Sequence, residues 1–449
     1  MPDDEGTVLT ASRSILALAG IRDRPFLRQV SVLVGGTAFA HALALAATPV
    51  LTRLYGPEEI GLLSLYVAFV ALWSSFLSLR YESAVCIARA GWDVGALLIL
   101  GGVLVLAMSL LGTAVLFLLG RHGVLGFDAL PAWAAALCLP ASLAWGAALL
   151  ARAWQVRIRR FWLITHSVVT RSLLGILLSL AFGVLSFGAA GLLAAETLSV
   201  IVGMLILVLP LRPRIRTWVR RIPRRRILAV GGIYRRFPLH ELPSTVLDKV
   251  AFALPVLLVT SLFDVAAAGL FGLAFRIVGA PAAQIGPALG DVFVSRYAEL
   301  HRKGRYREGE RLFRKTLSRL ALAGLAPLVL FVALAPAAFP LVLGPAWGEA
   351  GAMAAWLSLW MYGLTVVSPL SRLLAVTQRQ ALKFTYDFSA IAASLGAFWL
   401  AQAYRLPPDA MVAVLSLLHF LAYGIYLAIL LHVVRRAAKA EPVTSRRKD

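Results

Sequence analysis

The sequence predicts an all-α polytopic membrane protein with twelve transmembrane helices, arranged in two six-helix lobes related by a parallel pseudo-twofold repeat. Three observations carry this expectation. Hydrophobic residues make up 60% of the 449 positions and charged residues only 15%, too little polar surface for a soluble protein of that length. Continuous apolar runs long enough to cross about 30 Å of hydrocarbon recur from one end of the chain to the other. Finally, Thr52–Leu65 (TRLYGPEEIGLLSL) and Thr260–Leu273 (TSLFDVAAAGLFGL) echo each other at an offset of 208 positions, with Thr, Leu, Gly, Leu and Leu shared and Tyr55 opposite Phe263. An echo at nearly half the chain length points to a duplicated helical bundle.

The twelve spans are expected at 30–52, 60–79, 94–119, 131–151, 164–187, 189–210, 244–263, 266–290, 320–340, 350–370, 384–403 and 409–433. Span one ends at the corner Gly56-Pro57, where Glu58 and Glu59 suit the positive end of the following helix. Spans five and six are separated only by Phe187-Gly188, and span eight contains Pro281 and Pro287, which should break it near the bilayer midplane. Span nine runs into Pro336 and Pro340, and Gly344-Pro345 with Trp347 and Glu349 reads as an interfacial turn with an aromatic anchor. The domain plan is a cytoplasmic N-terminal segment at 1–29, lobes at 30–211 and 244–433, a basic linker at 212–243 between them, and a basic tail at 434–449. Ile15–Ala19 is an apolar patch too short for a signal-peptide core. Cys86 and Cys138 read as small packing residues rather than a disulfide or metal pair.

The charges test the topology independently. With both termini cytoplasmic, 38 of the 44 Lys and Arg fall inside, the asymmetry expected of cytoplasmic loops. Arg53, Arg121 and Arg405 fall outside, and Arg171, Lys249 and Arg276 fall within spans. The net charge of +22 is therefore mostly topology and no sign of nucleic-acid binding. Its densest patches, Arg212–Arg226 and Arg296–Lys315, read as anchors on anionic membrane lipids, with a docking site for a cytosolic partner as the alternative. The sequence has no GxxxxGK[ST], no HExxH and no His/Cys cluster with ligand spacing, so no metal, cofactor or enzymatic activity is expected. Short external loops argue against a membrane glycosyltransferase or polymerase.

Five segments carry a family resemblance. They are Leu51–Gly61 (LTRLYGPEEIG), Leu79–Val85 (LRYESAV), Tyr234–Pro243 (YRRFPLHELP), Phe339–Gly351 (FPLVLGPAWGEAG) and Ser368–Arg372 (SPLSR). Together they resemble Wzx-type flippases, the polysaccharide-transport branch of the multidrug/oligosaccharidyl-lipid/polysaccharide (MOP) exporters, along nearly the whole chain. The resemblance implies two six-helix lobes around a central cavity in the bacterial inner membrane. It also implies alternating-access export of polyprenyl-pyrophosphate-linked oligosaccharide for O-antigen, capsule or exopolysaccharide synthesis, in contact with a polysaccharide polymerase or synthesis complex. A drug or metabolite antiporter of the same superfamily remains the alternative, as does a glycosyltransferase or scaffold of the same pathway. The related lipid II flippases carry a cation in helix one, where this chain has only His41 and, at the outer end, Arg53.

Intramembrane charges are expensive and mark function. Arg276 is placed about 15 Å into span eight and Arg171 about 10 Å into span five, while Lys249 lies near the cytoplasmic end of span seven. Arg276, Arg171 and Lys249 are the candidates for binding the pyrophosphate, since guanidinium forks suit its oxygens. The alternative for the two arginines is a structural ion pair with Glu196, Asp248 or Asp387. Glu196, Asp387, Asp248 and His41 are the candidates for coupling to a proton or sodium gradient, with His419 a further histidine near mid-depth.

Overall fold

The computed structural model describes residues 24–89, 91–379 and 381–439. The Ile15–Ala19 patch and the end of the basic tail lie outside the described residues. The chain forms α1 (Arg24–Leu54), α2 (Pro57–Trp73), α3 (Tyr81–Ile87), α4 (Gly91–Arg121), α5 (Ala132–Arg157), α6 (Phe161–Val184), α7 (Gly188–Val208), α8 (Arg212–Arg221) and α9 (Arg224–Ile233). It continues through α10 (Leu242–Leu262), α11 (Val265–Arg302), α12 (Tyr306–Leu343), α13 (Gly348–Ser371), α14 (Leu373–Val376), α15 (Ala381–Tyr404) and α16 (Pro408–Lys439). Each of the twelve expected spans falls on one of the long helices. Among the described residues, nine segments are long and apolar enough to cross a membrane. Large apolar side chains stand exposed along them, including Val103, Leu177, Leu341 and Leu421. Lipid tails satisfy such a belt, whereas water does not.

Several helix ends and turns differ from the sequence reading. α2 stops at Trp73 rather than continuing to residue 79. Ser74 Oγ donates to Ala71 O, 2.7 Å away, and such local serine bonds compete with helix propagation. α11 runs unbroken through positions 281 and 287 despite its prolines, so the expected break is absent. Trp347 is 1% exposed, so it packs inward instead of anchoring at the interface. The acidic cap of α2 forms as expected, with Gly56 N–H donating to Glu59 Oε2 at 2.7 Å. At the same corner the Tyr55 hydroxyl donates to Ser179 O at 2.7 Å. Burial, aided by the charge of Glu59, holds this phenol above its ordinary pKa, so it remains a donor.

The chain divides into two units. The first takes Pro25–Gly272 with Val342–Ala346, and so includes α10 and the opening turns of α11. Here the sequence echo acquires a physical meaning. A Cβ added to Gly61 would overlap the carbonyl of Val265 and lie 2.8 Å from its Cγ1. A Cβ added to Gly269 would overlap the carbonyl of Pro57 and lie 2.8 Å from the carbonyl carbon. Pro57 and Val265 are equivalent positions of the repeat, as are Gly61 and Gly269, and Ser64 and Gly272 also touch. The two copies therefore pack on each other reciprocally, backbone to backbone, as a local twofold contact requires.

The basic connection between α7 and α10 is no loose tether. Trp218 on α8 fills the space over Gly95 and meets Trp154 edge-on at 5.3 Å between ring centroids. Leu97, Trp154, Leu211, Ile222 and Val230 share one buried cluster with Leu77 and Tyr81. Arg80 has a left-handed backbone (φ 65°), which a non-glycine residue adopts at a cost of about 1 kcal/mol. Its guanidinium donates to Glu82 Oε1 at 2.9 Å and also to Glu241. Ser83 Oγ donates to Glu241 Oε1 at 3.0 Å, and the Tyr81 hydroxyl to Gly231 O at 3.0 Å. Two of the segments that carry the family resemblance, 79–85 and 234–243, thus hold one another.

The second unit takes Leu273–Leu341 and the chain from Trp347 onward. α13 and α15 both pack on α16. Gly351 brings α13 against the Ala335 carbonyl of α12, where a Cβ would lie only 2.5 Å from the oxygen. Arg372 of the Ser368–Arg372 segment pairs with Asp291 of α11.

Candidate functional site

In the first unit the intramembrane charges are drawn together by small residues. Ser167 Oγ on α6 donates to Gly203 O on α7 at 2.7 Å. Gly175 lies within ordinary contact of Ser199, at 3.5 Å for an added Cβ. Close approach of α6 and α7 at these positions brings Arg171 to Glu196, with Nη2 to Oε1 at 2.7 Å. Trp145 of α5 completes the group, its ring 4.4 Å from the Arg171 guanidinium carbon. The expected alternative of an ion pair is what forms for Arg171. Its depth differs from the sequence reading, because α6 begins at Phe161 and Arg171 stands near the helix middle, about 15 Å from the N-terminal end.

The Arg171 and Glu196 side chains are 32% and 29% exposed, so the pair borders accessible space rather than being sealed in the core. This matters chemically. An arginine carries five donors and can serve a second anion while keeping its carboxylate partner. The Trp145 face holds the guanidinium in place through the ring quadrupole. Trp145 was not singled out from the sequence, because an aromatic in an apolar run gives no signal of the direction in which it points.

The other expected residues are placed as follows. Lys249 is exposed on α10, with Asp248 half-buried beside it and engaged in its own interactions. His41 lies exposed on α1 and is likewise engaged. In the second unit Arg276 is exposed on α11 and has interactions there. Asp387 on α15 is 1% exposed, with Lys383 Nζ 3.7 Å from Oδ2 one helical turn away. Lys383 also escaped the sequence reading, which placed it in the loop before span eleven. His419 stacks on Trp360 at 3.9 Å and shares a 3.1 Å hydrogen bond between Nε2 and Ser394 Oγ, the packing role common for a buried histidine. Cys86 and Cys138 are both free thiols. No group of three or more His, Cys, Asp or Glu fit to hold a metal occurs among the described residues.

The long apolar helices define a polytopic membrane protein, and its fold is similar to that of MOP superfamily transporters. The inward-facing structure of a multidrug resistance MATE family transporter of that superfamily matches at a TM-score of 0.71 and 15% identity, over 90% of this chain and 96% of that one. A MOP superfamily transporter from Pyrococcus furiosus, described as having a binding pocket of reverse polarity, matches at 0.59 and 16% identity, over 94% and 98%. An outward-facing MATE structure matches at 0.56 and 14%, over 95% and 99%. At these identities the likeness establishes the fold. The family model for polysaccharide biosynthesis proteins matches residues 50–352, and the chain belongs to that family. No curated protein matches the sequence.

Proposed function

We propose that the protein flips polyprenyl-pyrophosphate-linked oligosaccharide from the inner to the outer leaflet of the bacterial cytoplasmic membrane by alternating access. The product feeds synthesis of a surface polysaccharide such as O-antigen, capsule or exopolysaccharide. The observation that carries this reading is the Arg171–Glu196 pair seated on Trp145, within a transporter fold of the polysaccharide biosynthesis family. The twelve long helices act as twelve spans, in lobes 30–211 and 244–433, with both termini cytoplasmic by the basic-residue asymmetry.

In this scheme the pyrophosphate meets the Arg171 guanidinium on the side away from Glu196. Charge-assisted hydrogen bonds replace part of its hydration, without which moving the anion through hydrocarbon is prohibitive. Trp145 offers an apolar edge to a sugar ring. Arg276 and Lys249 are the further candidate cations for the pyrophosphate. With the phosphate on Arg171 the guanidinium is shared between two anions, and the added negative charge beside Glu196 favours uptake of a proton or sodium ion there. Return of that ion biases the cycle. Asp387, Asp248 and His41 are the further coupling groups, and the synthesis complex is the consumer on the outer side.

The test is complementation of a strain that depends on this protein, with lipid-linked glycan assayed by leaflet. Arg171→Ala and Arg276→Ala should each cause glycan to accumulate on the inner leaflet at unchanged protein levels. Arg171→Lys should restore only part of the flux, because a point charge replaces a fork. Full flux from the doubly substituted Arg171→Ala, Glu196→Ala protein would overturn the assignment.

A further inference from the structure

The two basic patches behave differently in the structure. In the Arg296–Lys315 patch, acids three or four residues away along the chain answer the cations. Arg296 and Lys303 both pair with Glu299, Arg305 with Glu308 and Arg314 with Glu310. α8, of sequence RPRIRTWVRR, contains no acid at all. Its Trp218 faces the buried cluster, Ile215 sits at the edge between that cluster and the other face, and Arg214 lies over the Trp154 ring at 5.3 Å. The opposite face holds Arg212, Arg216 and Arg220 at successive four-residue steps, one row along the helix.

This row borders a cavity of about 310 Å³ whose remaining wall is Val208, Leu209, Ile215 and Val219. Leu209 is 55% exposed and Val219 59%. Three cations above exposed aliphatic side chains, at the end of a membrane-spanning helix, fit an amphiphile: phosphate against the row, acyl chains against the aliphatic wall. A soluble anion would leave that wall wet, and a zwitterionic lipid brings no net negative charge to the arginine row.

We propose that this face of α8 is a specific site for an anionic phospholipid of the leaflet facing the basic loops. The site is separate from the Arg171–Glu196 pair and does not depend on what the protein transports. Bound lipid fastens α8 to the bilayer surface while Trp218 fastens it to the bundle, so the connection between the repeats is held from both sides.

The experiment uses the full chain in detergent with fluorescent phosphatidylglycerol as probe and phosphatidylcholine as control. Each basic residue near an anionic surface contributes about fivefold in affinity. Arg212→Gln, Arg216→Gln, Arg220→Gln together should therefore weaken phosphatidylglycerol binding on the order of 100-fold. Arg216→Gln alone, the fallback should the triple variant aggregate, should weaken it about fivefold. Lysine at all three positions should retain most of the binding, and Arg221→Gln should leave it unchanged. Unaltered phosphatidylglycerol binding by the triple variant, or by Arg216→Gln, would overturn the site. Equal binding of phosphatidylcholine, or displacement of the probe by inorganic phosphate as effectively as by unlabelled phosphatidylglycerol, would overturn the lipid as its occupant.

Discussion

Replacing Gly61 by alanine tests the reciprocal contact at the heart of the first unit. The new methyl would lie 2.8 Å from Val265 Cγ1 and inside the van der Waals shell of the Val265 carbonyl. That carbonyl belongs to a helix backbone and cannot swing aside, so α2 and α11 must part by about 1 Å. Overpacking of this kind costs about 1–3 kcal/mol, and a backbone neighbour places it at the upper end. Alanine returns about 1 kcal/mol of helix propensity, leaving a net loss of about 2 kcal/mol. For a unit of this size that lowers the melting temperature by roughly 4–8 °C. Gly269→Ala meets the equivalent obstruction at Pro57 and should behave alike. The double variant should fall short of the sum, because one separation relieves both overlaps. Gly102→Ala on α4, with nothing within 4 Å of the added methyl, should melt no lower than the parent. The assay is fluorescence-detected size exclusion after heating in detergent. Melting of Gly61→Ala within about 1 °C of the parent, or full additivity in the double variant, would refute the argument.

Two further outcomes are expected. Arg80→Ala removes the cation that joins Glu82 and Glu241 at a cost of about 2 kcal/mol, so amide exchange in α9 and at 237–241 should accelerate about 30-fold. Arg80→Gly should lose about 1 kcal/mol less, since glycine accepts the left-handed backbone freely; unchanged exchange in both variants would count against the latch. Glu299 is held below its ordinary pKa by hydrogen bonds from Lys303 and then Arg296. Its folded-state pKa lies below the unfolded one, so its contribution is present above the usual carboxylate range and is lost as pH falls through the folded value. Melting temperature followed from pH 6 downward should therefore decline less steeply in Glu299→Gln than in the parent.

The helices were legible in the sequence because an apolar run long enough to span a bilayer has few other ways to satisfy its backbone. Arg171 and Glu196 were legible as charges in apolar runs, for the same energetic reason. Their pairing was legible only as one of three alternatives, since the choice depends on how α6 and α7 turn toward each other at Ser167, Gly175, Ser199 and Gly203. Trp145 and Trp347 show the limit from opposite directions. One looked like any apolar residue and stands over a guanidinium. The other looked like an interfacial anchor and is buried. Aromatic side chains suit all of these settings, and only tertiary contacts choose among them. The order in 212–243 was hidden for a related reason, because two basic ten-residue helices are too short to hold without the cluster they cover.

The main stretch of the first packed unit runs on to Gly272, well beyond the sequence boundary between the repeats, and Val342–Ala346 joins it later still. Synthesis proceeds from the N-terminus, so the first unit cannot be completed when the sixth span has entered the membrane. It must wait for α10 and the opening turns of α11, which supply the surface that α2 packs against. A chain cut at residue 243, where the duplication would suggest dividing it, ends before its own partner has been made.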